Sequence, residues 1–389
     1  MRRTSRHLLT SIVLVVIVIL AITCYTLMLP ETTMNKTSLW LKFYHDYLKE
    51  YYKPRPITKS DIGSYPQLAH VANMPWISYN KSYCASICLQ MVTYKHGLNM
   101  SLGLLNFIMG FTYGAAYMQY YNFATFIPGG EPILGYVYAA EQLGFEYHML
   151  VTNDEETFID ACRYLISKDI PVILPVDASK LYNTSGHAPH FELLVGYEDD
   201  MFYLYEPVMN ESKFTYGERG IAFSCDTIAK ASKALSELFY YPWKYTLIYF
   251  TVASSPKLDM KSVLLRVGEL QVGFVEHGMA IGSKAIEMFA NRTAEGKIKA
   301  EDYTWALLYA ITTRRDNAAF LRSYFKGNTL IEQAANKLEQ AASLYAQALD
   351  LARDGLTISE KIQFVQLLHQ AAKLEEEVGR LMIEAASSL

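Results

Sequence analysis

A cysteine, a histidine and a glutamate occur in this chain in an order that suits nucleophilic chemistry. Cys84 opens the apolar run Cys84-Ala-Ser-Ile-Cys88-Leu-Gln-Met-Val-Thr-Tyr-Lys-His96-Gly97. Far downstream His190 opens His190-Phe-Glu-Leu-Leu-Val-Gly-Tyr197, and Glu206 closes Met201-Phe-Tyr-Leu-Tyr-Glu206. In such a set a thiolate attacks a carbonyl carbon, an imidazole takes and returns the proton, and a carboxylate holds the imidazole in one tautomer.

The elements around these residues must bring them together. The first run has apolar residues at helical spacing and a glycine where a helix would end, so Cys84 is expected in a first helical turn. The positive end of the helix dipole there favours thiolate, whereas burial alone opposes it. The second and third runs read as a β-hairpin. A three-residue turn, Glu198-Asp199-Asp200, pairs Tyr197 with Met201 and sets Glu192 opposite Glu206. His190 and Glu206 are then diagonal neighbours on one face. A two-residue turn is expected to put them on opposite faces.

The segment Pro75-Trp-Ile-Ser-Tyr-Asn-Lys-Ser-Tyr-Cys84-Ala-Ser-Ile-Cys-Leu-Gln-Met91, with His190-Phe191, Gly196 and Glu206-Pro207, resembles the bacteriocin-processing, double-glycine cysteine peptidase superfamily. Gly110-Phe-Thr-Tyr-Gly-Ala-Ala-Tyr117 and Ile170-Pro-Val-Ile-Leu-Pro-Val-Asp177 are similar to the N-terminal domain of the butirosin-biosynthesis protein H family, whose known member is an acyltransferase with a cysteine nucleophile. The similarity covers about 65–255. It implies a papain-like fold, Cys84 as nucleophile, His190 as general base, and Glu206 where these families place Asp or Asn. Peptidases of the group also carry an oxyanion-stabilising glutamine shortly before the cysteine. Tyr79 or Asn80 stands in that stretch here, and Asn80 is the residue able to donate an amide hydrogen bond.

Competing readings exist for the same residues. A cysteine in an apolar helix is often a small packed hydrophobe. Cys84 and Cys88 with His187 and His190 also make four zinc-type ligands, although Cys-x3-Cys on one helix is an awkward chelate. Neither a metal nor a cofactor is expected. Cys162 and Cys225 are candidates for a disulfide if the chain is exported, yet five cysteines in 389 residues make no disulfide framework.

Residues 8–29 carry no charge, follow Arg2, Arg3 and Arg6, and end at Pro30. A run of that length spans a bilayer as a helix, and the flanking arginines put residues 1–7 in the cytoplasm. No Ala-x-Ala-like site closes it, so it reads as a transmembrane signal anchor in the cell membrane rather than a cleaved signal. With a net charge of −4 and no basic stripe, nucleic acid is not an expected partner.

The expected class is α+β. Residues 30–64 form a stalk, 65–255 the papain-like catalytic domain with a helical lobe and an antiparallel sheet, and 256–389 a helical bundle. After Pro256 the chain holds no proline and is rich in alanine and leucine. Helices are expected at about 259–291, 301–324, 328–354 and 358–386. The stripe Leu330, Ala334, Leu338, Ala341, Tyr345 and Ala348 reads as a packing face, one that also suits a helical partner or a dimer seam. Tyr113, Tyr117, Tyr120 and Tyr121 either line a substrate groove or pack in the core.

These features combine into a membrane-anchored, outward-facing thiol hydrolase, a cysteine peptidase or amidase acting on a peptide or acyl substrate through an acyl-enzyme on Cys84. The alternatives are an acyltransferase and a catalytically silent binding module. An external site favours water as acceptor, because acyl-carrier donors are cytoplasmic. The anchor predicts that protease added to intact cells removes residues 31–389. Protection of that segment overturns the topology.

Overall fold

The computed structural model describes residues 33–120, 123–208, 219–276 and 279–389. The 8–29 run lies outside them. Among the described residues no helix is long and apolar enough to cross a membrane. The class is α+β, and residues 45–389 form one compact unit.

Helix α1 (Thr33–Tyr52) is followed by β1 (Arg55–Pro56), β2 (Leu68–His70), α2 (Cys84–Lys95) and α3 (Leu102–Met109). Next come β3 (Ala116–Tyr120), β4 (Phe123–Ile127), α4 (Pro132–Leu143), β5 (Phe145–Thr152), α5 (Glu155–Ser167) and β6 (Val172–Asp177). The short helix α6 (Ala178–Leu181) leads into β7 (Pro189–Glu198), β8 (Met201–Tyr205), β9 (Ile221–Ser224), α7 (Cys225–Leu238) and β10 (Tyr245–Val252). The rest comprises α8 (Met260–Val272), β11 (Val275–Glu276), β12 (Met279–Ile281), α9 (Ser283–Ala294), α10 (Thr304–Tyr324), α11 (Thr329–Ala352) and α12 (Ile358–Ser387).

The main sheet runs β1-β5-β10-β6-β7-β8-β9, with β2 also on β7. Its pairings are antiparallel except that of β1 with β5. Residues 55–57, inside the stretch expected as a stalk, form the sheet's edge, where prolines without an N–H donor are tolerated. Helix α2 is apolar almost all round and buried from Ala85 to Thr93, as a core helix should be. It packs on β7 and α3.

The hairpin reaches its expected register by an unexpected route. Glu198 pairs with Met201, so the turn has two residues, not three, and Asp199 takes a left-handed conformation (φ 50°). The expected consequence, His190 and Glu206 on opposite faces, is cancelled by a β-bulge. Gly196 pairs with Tyr203 but Leu194 with Leu204, leaving Val195 unpaired. That extra residue restores the alternation, and the register continued past Leu193–Tyr205 brings Glu192 opposite Glu206.

The composition change at 256 marks a change of architecture inside the compact unit. Residues 259–291, expected as one helix, are two, α8 and α9, with the β11–β12 hairpin between them. Gly273 forces the break: at φ 80° its chain turns so closely that a Cβ there would lie 2.0 Å from the Ile281 carbonyl oxygen. Strand β12 joins β3 and β4 in a second sheet, β11-β12-β3-β4. Tyr117 and Phe126 share a core with α9, α10, α11 and α12, and Phe107 and Tyr113 share another with α8, α10, α11 and α12. Tyr113 and Tyr117 are therefore core residues; the Tyr120 side chain and Tyr121 fall outside the described residues. The α11 stripe is a packing face, with Ala334, Leu338, Ala341, Tyr345 and Ala348 all buried.

The helices meet the second sheet around a buried ion pair. Arg314 of α10 and Glu375 of α12 are both fully buried and joined by two hydrogen bonds, Nε to Oε1 at 2.7 Å and a terminal guanidinium nitrogen to Oε2 at 2.9 Å. Arg314 also donates to the carbonyls of Gly114 (2.5 Å) and Pro128 (2.7 Å), and Tyr345 and Gln271 donate to Glu375. Arg314→Met strands a buried carboxylate and is expected to cost about 3–5 kcal/mol, read as a lowered urea midpoint. Combining it with Glu375→Leu is expected to recover part of that loss.

Candidate active site

Cys84 is the first residue of α2, half-buried and free. The preceding Tyr83 makes no side-chain cap hydrogen bond to the first turn. Two contacts fix the helix: Tyr136 donates to the Ala85 carbonyl (2.9 Å), and the Cys88 thiol donates to the Phe191 carbonyl (3.6 Å). Because Phe191 follows His190, the Cys88 contact sets the first turn of α2 beside the start of β7. Burial, with the titratable groups of Cys84, Glu192 and Glu206 nearby, pushes the Cys88 thiol well above its usual range and makes it a poor nucleophile.

His190 lies between the thiol and the carboxylate. Its Nε2 is 3.0 Å from Glu206 Oε1 and 3.2 Å from Oε2, which leaves Nδ1 for Cys84. The side chain is 13 % exposed. Burial opposes its charge, but Cys84 beside it and then Glu206 outweigh burial and raise the imidazole well above the ordinary histidine range.

Glu206 is buried behind the histidine, and the Val208 backbone N–H donates to Oε1 at 2.7 Å. Burial alone would raise its pKa. The hydrogen bond and charge of His190 reverse that and bring the carboxyl down to about 2. The Trp76 indole N–H donates to the Glu206 carbonyl (2.9 Å) and stacks on Tyr205 at 4.8 Å, so the loop leading to Cys84 is tied to the strand end that carries the carboxylate.

Glu192 was not among the residues expected at the site. It is fully buried, its Oε1 lies 3.8 Å from His190 Nε2, and its Oε2 has no hydrogen-bond partner. Burial and the neighbouring Glu206 charge push it well above the carboxylate range. The two neighbouring carboxyls are thus driven apart, Glu192 towards the protonated form and Glu206 towards the ionised one. The Tyr182 hydroxyl bridges them, 2.9 Å from Glu192 Oε1 and 3.0 Å from Glu206 Oε2. The sequence signal was the register itself, which sets the two glutamates opposite each other.

Asn80 is exposed on the loop before α2, and among the described residues no hydrogen bond orients its amide. The zinc set expected as an alternative is not assembled: His187 is turned to the buried Asp177 (2.7 Å), and Cys88 to a carbonyl. Among the described residues the metal-type grouping is instead His190, Glu192 and Glu206, whose ligand atoms lie within 4.8 Å of one another and suit a hard divalent cation as well as a shared proton. Cys162 and Cys225 are free thiols. Two surface cavities, of about 440 Å³ beside Lys95 and His96 and about 620 Å³ over Trp76 and Tyr205, include neither Cys84 nor His190.

One face of α10 also reaches the loop before Cys84. Asp316 accepts from Tyr83 Oη (2.7 Å) and Lys81 Nζ (2.6 Å), holding the loop that precedes the thiol. Tyr309, two turns earlier on the same face, meets the Tyr83 ring edge-on at 6.1 Å. No protein-family model matches the chain, and no curated protein matches it.

His190, raised above its unfolded value, contributes stability that is full below about pH 6.5 and lost as pH rises through the folded value. Glu206, lowered to about 2, contributes stability present above about pH 4.5 and lost as pH falls towards 2. NMR of the imidazole is expected to show His190 titrating well above 6.5, with a downward shift in Glu206→Gln. An unmoved His190 would exclude the carboxylate as its partner.

Proposed function

We propose that this protein is a papain-like thiol hydrolase, a cysteine peptidase or amidase, held at the cell membrane by residues 8–29 with its site outside. The observation that carries the chemistry is the alignment of a first-turn thiol, a half-buried imidazole between it and a carboxylate, and that carboxylate's own buried partner. The membrane part rests on the uncharged run and its flanking arginines.

In this reading the Cys84–His190 pair exists as thiolate and imidazolium. The thiolate attacks a substrate carbonyl, forming a C–S bond while the carbonyl electron pair moves to oxygen. Collapse of that intermediate expels the leaving amine, which takes the proton from His190 Nδ1. Water, deprotonated by the now neutral His190, then cleaves the thioester. Glu206 keeps Nε2 occupied and the imidazole oriented, and protonated Glu192 keeps the acid pair at a single negative charge.

Iodoacetamide tests the reading without a known substrate. At neutral pH, Cys84 is expected to be alkylated at least tenfold faster than free cysteine, as located by mass spectrometry. Cys88→Ser should retain this reactivity and His190→Ala should lose most of it. Cys84→Ser should abolish turnover in a screen of peptide and acyl-thioester libraries. Turnover that survives Cys84→Ser, or is lost on adding EDTA, removes the thiol mechanism, the second outcome favouring a metal held by His190, Glu192 and Glu206.

A further inference from the structure

The thiol chemistry proposed above creates an oxyanion and so needs donors aimed at it. The backbone N–H of Cys84 is one, but the expected side-chain donor, Asn80, is exposed and unoriented. Helix α10 carries a better-placed group. Tyr309 is half-buried, sits edge-on against the ring of the residue preceding the nucleophile, and is close enough to Cys84 to feel the thiolate's charge. The backbone of Gly129 also closes on the phenol: a methyl there would lie 3.4 Å from the ring and 3.7 Å from the hydroxyl oxygen. That loop is anchored by Arg314, which binds the Pro128 carbonyl, and the helix is anchored by Asp316 on Tyr83 and Lys81. The ring is therefore held between Tyr83 and the Gly129 loop, while among the described residues its hydroxyl has no hydrogen-bond partner.

We propose that the Tyr309 hydroxyl is the side-chain donor of the oxyanion site, a catalytic residue supplied by the C-terminal helices. As the Cys84 sulfur bonds to the carbonyl carbon, the carbonyl electron pair moves to oxygen, and that oxygen accepts hydrogen bonds from Tyr309 Oη–H and from the Cys84 backbone N–H. The phenol keeps its proton throughout; the proton given to the leaving group comes from His190. Burial and then the nearby thiolate raise Tyr309 above the ordinary tyrosine range, which keeps it a donor across the working pH. A fixed donor in a partly desolvated site suits this role, since little reorganisation accompanies the reaction.

The inference rests on the thiol reading, and two probes of the full-length protein separate them. Iodoacetamide alkylates sulfur by displacement at a saturated carbon and forms no oxyanion, whereas p-nitrophenyl acetate acylates through one. In Tyr309→Phe, which removes only the hydroxyl, alkylation of Cys84 is expected to stay within about twofold, while the acylation burst slows about 100-fold. Asn80→Ala is expected to leave both rates unchanged. Unchanged acylation in Tyr309→Phe, or an equal loss with both probes, overturns the role of Tyr309 and leaves the thiol reading intact. A wild-type Cys84 no more reactive than free cysteine overturns the thiol reading and Tyr309 with it.

Discussion

The buried Arg314–Glu375 pair is the constraint on which the arrangement of the molecule depends. A guanidinium and a carboxylate taken out of water repay their desolvation only if nearly every hydrogen-bonding position is filled. Here the partners come from α8, α10, α11, α12 and the loops that bracket β3 and β4. None of these elements can shift without leaving a charged group unsatisfied in a dry interior. The pair thus selects one packing among the many that alanine-rich helices would otherwise permit. Because Arg314 holds the Pro128 carbonyl and Asp316 two residues on holds Tyr83, the same constraint reaches the thiol.

A second low-dielectric device sits behind His190. Two carboxyls, a phenol and an imidazole crowd together there, and the cost of burying them is limited because Glu192 is driven towards its neutral form while Glu206 is driven towards its ionised one. The arrangement gives His190 a single anionic neighbour on the side away from Cys84. It also explains how the longer glutamate arm works where a shorter residue is expected: Val208 N–H, Tyr182 Oη and His190 Nε2 fill the carboxylate's acceptor positions and pin it.

Much of this was legible in the sequence where local periodicity and burial agree. Helix α2, with Cys84 at its start, follows from the apolar spacing and Gly97, and β6, β7, β8 and β10 from their β-branched and aromatic runs. Other elements were hidden. The segment 259–291 has helical composition on both sides of a hairpin that only Gly273 and Gly282 betray. Strand β9, of four residues, is too short to alternate convincingly, and β5 passes from alternation into an apolar run beside a helix. Helix α7 has its N-cap, Ser224, and an amphipathic pattern written in the sequence. The bulge at Val195 left no trace, because one more valine in an apolar strand changes no pattern. Tyr309 had no local signal: its relation to Cys84 exists only through the packing of α10.

The bulge has a consequence for how this chain can vary. Strand β7 delivers His190 to the face of Glu206 only because its length is one residue out of step with β8. Substitutions at Val195 that keep an extended backbone leave this count alone, whatever their chemistry. Deleting that single codon would turn the five residues from His190 to Leu194 over together, burying imidazole where leucine belongs and exposing leucine to the carboxylate. The strand's information is therefore partly numerical. Lineages of this protein should tolerate change of identity at position 195 far more readily than change in the number of residues between His190 and the turn.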